Sequence, residues 1–276
     1  MIEATGGEAT GGRATGDQVT VAWPTPAPGA APLPRIIAAQ AGLELRTLVR
    51  NGEQLLLTLI IPVLLLVVFS SEALISVGHG SRIDFLAPGI LALAVMSTSF
   101  TSLAIGTAFE RRYGVLKRLG VTPLSRSGLI GAKAVTVLVV EIGQVVVIVA
   151  VGLVLGWGPR VSATSVLSSG LVLVAGSAAF SGLAMLMAGT LRAEATLAAA
   201  NLVYLVLLGI GGVVFPLTKF PAAIRPALRL LPSGAMSDGL RSVLQYGGGL
   251  PVRDLLVLVI WAIVGIGVAA RTFRWE

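Results

Sequence analysis

Long stretches without a charged residue alternate along this chain with short segments that carry most of its charge. A helix needs about 17 to 25 apolar residues to cross a hydrocarbon core roughly 30 Å thick. Six runs meet that requirement: Leu55 to Val77, Phe85 to Phe109, Leu129 to Leu155, Val166 to Leu191, Ala195 to Phe215 and Leu255 to Ala270. Each is continuously apolar rather than alternating, which predicts helices and argues against barrel strands. The expected fold class is an all-α integral membrane protein with six transmembrane helices.

The segments outside the runs divide in kind. Residues 1–34 begin with a near-repeat of small residues, ATGGE, ATGGR, ATGDQ, and continue into a Pro/Ala-rich stretch ending at Pro34. Such a segment has little to bury and is expected to be a disordered low-complexity tail, leaving residues 35–274 as the transmembrane domain. The tail lacks the basic start and apolar core of a signal peptide, so the first span is expected to act as an uncleaved insertion signal. Between Pro34 and that span, Ile37, Ala41, Leu45 and Leu48 fall on one helical stripe and Gln40, Glu44, Thr47 and Asn51 on the other side, with Arg46 and Arg50 at the borders. That pattern predicts a helix lying in the inner membrane interface; a plain extension of the first span is the alternative.

Composition sharpens the class. The 276 residues are 55% hydrophobic and 12% charged, well below the roughly 25% charge of a soluble domain. The net charge of +7 comes from basic residues scattered over loops rather than gathered on one face, which argues against a nucleic-acid partner. Counted by alternate loops, the larger basic set lies on the side of both termini, so both are expected in the cytoplasm. An Arg-rich, Ala/Gly/Val-rich composition suggests a bacterial source, and hence the bacterial inner membrane. Cysteine is absent and His79 is the sole histidine, so disulfides, thiolate chemistry and His-rich metal sites are excluded. His79, Ser81 and Asp84 are too close in sequence to form a hydrolytic triad.

The segment Glu110 to Gly120, ERRYGVLKRLG, lies between the second and third runs. Read as a helix, it puts Tyr113, Val115, Leu116 and Leu119 on one face and turns Arg111, Lys117 and Arg118 away. Gly120 and Pro123 then stop it, and Ser125 or Ser127 can cap the next span. An ordinary basic loop that enforces topology is the alternative. With the amphipathic helix before the first span and FPLTKFPAAIRPALRLLPSGAMSDGLRSVL between the fifth and sixth, this segment resembles permease subunits of type-2 ABC exporters, which include drug-resistance, polysaccharide and lipid exporters. The resemblance covers about residues 35–274. It implies an elbow helix before the first span, a cytoplasmic coupling helix between spans two and three, and short re-entrant outer helices between spans five and six.

The resemblance further implies an ATPase partner subunit, contacted through Glu110, Arg111, Tyr113, Leu116, Lys117, Arg118 and Leu119, with Arg46 and Arg50 in support. On that basis Leu116→Asp should abolish transport. The working unit would pair this chain with a second copy or a similar permease, within membrane lipid. The sequence has no G-x-x-x-x-G-K-[ST] phosphate loop, so this chain is expected to be a transport subunit rather than an enzyme. It would bind no cofactor, with ATP and Mg held by the partner. The cargo would be hydrophobic or amphipathic: a drug, a lipid or a lipid-linked polymer.

Polar residues inside the runs carry the remaining chemistry. Glu141 is mid-span, where an ionised carboxylate is costly and needs a partner, water or a proton, and Gln144 lies one turn away. The pair either lines a substrate path or holds helices together at a subunit contact. Asn201 and Tyr204 repeat the spacing in the fifth run and are expected to hydrogen-bond neighbouring helices. Gly170, Ser177, Ser181 and Gly189, with Gly209 and Gly212, are expected to mark close helix approach. An ion-coupled secondary transporter using Glu141 is the alternative function.

Overall fold

In a computed structural model, the residues described are 31–50, 52, 56–71, 81–119 and 126–273. All regular elements among them are helical. Helix α1 is Leu33–Arg50; α2 opens as a π-turn at Leu56–Ile60 and continues through Ile61–Ser71. The next helix, α3, runs over Arg82–Arg112 with a π segment at Met96–Ser102. A five-residue helix α4, Val115–Leu119, leads toward α5, Arg126–Val154. Then come α6, Ala163–Thr190, and α7, Ala193–Ile210. After a 3₁₀ turn at Leu217–Lys219 follow α8, Arg225–Leu228, α9, Pro232–Leu244, and α10, Val252–Thr272.

Five of these, α3, α5, α6, α7 and α10, are long and apolar enough to cross a membrane, while the apolar stretch Thr58–Ser70 of α2 is shorter. The faces they turn outward are just as apolar: Ile142 and Val146 on α5, Leu202 and Leu205 on α7, and Ile260 and Ile263 on α10 are all exposed. In water such a surface would collapse on itself; in a bilayer it meets lipid chains or another apolar surface. Helix α3 is the most buried of the five, with every residue from Phe85 to Val95 inside the core, and α6 crosses α10 along its length.

That crossing is made by glycine. A Cβ on Gly182 would come 2.8 Å from the backbone nitrogen of Ile266, and one on Gly265 would meet Gly182 and Leu183 at 3.0 to 3.1 Å, so the two backbones touch. Gly170 and Gly209, expected to mark such approaches, have open space around them, whereas Gly189 packs against Phe273.

Several expected boundaries move. The fifth run stops as a helix at Ile210 rather than reaching Phe215, because the chain bends from Gly211 onward and Gly212 adopts a positive φ of 70°. Glu110 to Arg112 form the last turn of α3, and the break to α4 is made by Tyr113 and by Gly114 at φ 69°, before Gly120. Gly120, Pro123 and Ser125 lie outside the described residues, as do His79 and nearly all of the tail 1–34. Ser81 and Asp84 form the N-cap of α3, with the Ser81 hydroxyl donating to Asp84 at 2.6 Å and accepting from the Asp84 amide. Between Ala222 and Leu231 only Arg225–Leu228 is α-helical, whereas the second short helix begins at Pro232, earlier than Met236.

Candidate functional site

Polar side chains gather at the two ends of the bundle. At one end α1, the close of α3 and the start of α5 meet on Lys133. Its ammonium group lies 2.6 Å from the Glu110 carboxylate and 3.5 Å from Glu44, with only 6% of the lysine side chain exposed. One cation thus ties three helices. Glu44 therefore faces α5, not away from it as the helical stripe suggested, and Gln40 donates to it at 3.1 Å. Thr136 extends the seam by donating to the Ala41 carbonyl at 3.4 Å. A lysine one turn into an apolar run is the signal that a carboxylate partner must exist.

The same end seats α4. Leu116 is buried against Leu129, with Ile36, Leu119 and Phe273 packed around it. It was expected to face a partner; it faces this chain instead, because the turn at Gly114 rotates α4 so that Leu116 drops into the gap between α1 and α5. Tyr113, Val115, Lys117 and Arg118 are left exposed, as are Arg46 and Arg50 on α1. Arg111 turns toward α6 and donates to the Leu191 carbonyl; Arg112 pairs with Glu194 and stacks near Phe109 and Tyr113.

Midway along the bundle, Gln144 bonds through both halves of its amide. Its carbonyl accepts from Thr98 at 2.9 Å and its amide donates to the Thr58 carbonyl at 2.8 Å, joining α5 to the π segment of α3 and to α2. Its contacts are within the chain. Glu141 is also buried, facing the hydroxyls of Ser99 and Ser177, and its Oε1 has no hydrogen-bond partner. Ser177 also lines a cavity of about 380 Å³ between α3, α5, α6 and α10, walled by Leu138, Met185 and Phe273 with Lys133 at one side. Tyr204 packs against the core, while Asn201 stays on the exposed face of α7.

At the opposite end, Arg241 of α9 is buried and holds three parts of the chain. It donates to the carbonyls of Phe85 at 3.1 Å, Gly212 at 2.6 Å and Val213 at 2.7 Å, with its guanidinium 3.7 Å above the Phe85 ring. Burial pushes its pKa down to about 10 against the pull of Asp238, which leaves it cationic at neutral pH. Gly89 has no Cβ because one would strike the Val213 carbonyl and Arg241. The sequence marked this connection as unusual but did not single out Arg241. An arginine inside an otherwise apolar short helix was the available signal.

A bundle with several membrane-length helices, an apolar exterior and polar clasps at both ends is a multi-pass helical membrane protein. Residues 80–271 match the ABC-2 family transporter protein family, and the chain belongs to that family. It is also 27% identical, over 86% of its length and 88% of the relative's, to the probable doxorubicin resistance ABC transporter permease protein DrrC of Mycobacterium tuberculosis, from strains CDC 1551 and H37Rv alike.

Proposed function

We propose that this chain is the membrane subunit of an ATP-binding cassette exporter in a bacterial inner membrane, with both termini in the cytoplasm. A separate ATPase would bind ATP and Mg and drive the motion. The working unit contains two permeases, either copies of this chain or this chain and a similar one. Helix α2 belongs to the sixth span, α1 is the elbow helix and α8 with α9 form the re-entrant outer connection. The relative's description as a doxorubicin resistance protein supports an amphipathic drug as cargo, and the apolar cavity beside α5 and α10 is suited to a molecule entering from the bilayer.

The observation that carries this reading is the exposed surface of α4. Leu116 locks it onto the chain while Tyr113, Lys117 and Arg118 are exposed, joined by Arg46 and Arg50 from the same end. A partner pressing on α4 presses at once on α1, α3 and α5, because Lys133 and Leu116 bind them together. Charge reversal by Lys117→Glu with Arg118→Glu is expected to lower co-purification of a phosphate-loop ATPase at least tenfold, an effect of about 1.4 kcal/mol, and to stop drug efflux without lowering the unfolding temperature. If no ATPase accompanies the wild-type chain in mild detergent and efflux tracks the proton gradient, the ATP-driven reading is wrong and Glu141 becomes the coupling residue.

A further inference from the structure

A second pocket, of about 430 Å³, opens between the end of α3, the turn into α4 and the α6–α7 turn. Its wall carries Arg111, Arg112, Lys117 and Arg192 against a single carboxylate, Glu194. Arg112 takes that carboxylate, and Arg111 spends one nitrogen on the Leu191 carbonyl. Among the described residues no carboxylate lies within 4 Å of Arg111, Lys117 or Arg192. The cations remain together because separate elements hold them: α3 ends at Arg112, Gly114 folds Lys117 back over it, and Arg192 sits in the tight link between α6 and α7. Arg192 precedes α7 without a side-chain cap, so the first amides of α7 add to the positive field.

Like charges held around a cavity repel one another unless an anion enters, and the position of this one selects the anion. It lies at the meeting ends of three membrane-length helices, α3, α6 and α7, which is the depth of lipid head groups. Tyr113, exposed beside Phe109 at the end of α3, is the kind of aromatic residue that settles at that depth. Basic pockets between membrane helices bind phosphate-bearing head groups. We propose that this pocket binds the phosphate of an anionic phospholipid, bridging α4 to the α6–α7 turn. Lys117 also belongs to the surface proposed above for the ATPase, whereas Arg192 does not.

The test is lipid retention by the purified full-length chain, followed by native mass spectrometry after exchange into mixed micelles of dioleoyl phosphatidylglycerol and dioleoyl phosphatidylcholine. Phosphatidylglycerol should be retained preferentially. Lys117→Gln with Arg192→Gln should weaken retention by about fivefold for each charge removed, roughly 25-fold in all. The charge-keeping pair Lys117→Arg with Arg192→Lys should retain it, as should Arg225→Gln with Arg229→Gln at the other end of the bundle. Equal retention of the two lipids, or retention unchanged in the neutralised pair, would overturn the proposal. Displacement of the lipid by millimolar inorganic phosphate, with no preference for the diacyl form, would reassign the pocket to free phosphate. Loss of ATPase co-purification in Arg192→Gln alone, which leaves Lys117 in place, without any change in bound lipid would reassign it to protein docking.

Discussion

Arg241 shows how one side chain can substitute for regular structure. The chain leaves α7 at Ile210 and bends, so the carbonyls of Gly212 and Val213 have no helical donors; the guanidinium supplies them and takes the Phe85 carbonyl as well. A lysine has the charge but not the planar fork, and it would leave at least two acceptors unpaired. Arg241→Lys is therefore expected to cost about 2 to 6 kcal/mol for two orphaned acceptors, at about 1 to 3 kcal/mol each. That should appear as an unfolding temperature lower by roughly 4 to 24 °C in detergent; an unchanged transition would show that the cage contributes nothing. Gln144 is a milder case of the same role, joining three helices through both halves of one amide. Glu141, which the sequence paired with it, shares its burial but leaves one oxygen without a partner.

The elements were legible wherever a periodic pattern was long. The runs behind α3, α5, α6 and α10 became helices close to their expected limits, since twenty apolar residues admit little else in a bilayer. Short elements were less legible because their ends depend on contacts from elsewhere. Burial of Leu116 under α4 requires Leu129 of α5, and Glu44 turns inward for Lys133, a partner 89 positions away, so neither could be read from a local stripe. The stop after Ile210 likewise depends on a residue two elements later. Lys133→Met tests this junction: two carboxylates lose a nearly buried cation, at a cost of about 2 to 4 kcal/mol once their partial exposure is allowed for. Helix α1 should then loosen and be cleaved faster by protease within 33–50, and adding Glu44→Gln with Glu110→Gln should recover much of the loss. Unchanged cleavage of the single variant would mean that α1 is held by its apolar contacts alone.

For the whole molecule, the decisive contact is the crossing of α6 and α10. Gly182 and Gly265 bring the two backbones together with no room for a side chain. Gly182→Leu is expected to prevent that approach and leave little folded protein in detergent extracts, whereas Gly170→Leu, which meets open space, should be tolerated; equal yields of the two would mean that α6 and α10 can part without loss of the fold. The helix between the two polar clasps has a different property. Helix α3 runs unbroken from Phe85, beside Arg241, to Glu110, about 38 Å at 1.5 Å per residue. Its π segment, Met96–Ser102, sets the angular phase between its two ends. Loss of one residue there would rotate one half against the other by about 100°, so Phe85 and Glu110 could no longer both meet their cations. The length and winding of this single rod are thus shared between two distant clasps, and neither clasp can be repositioned along it independently of the other.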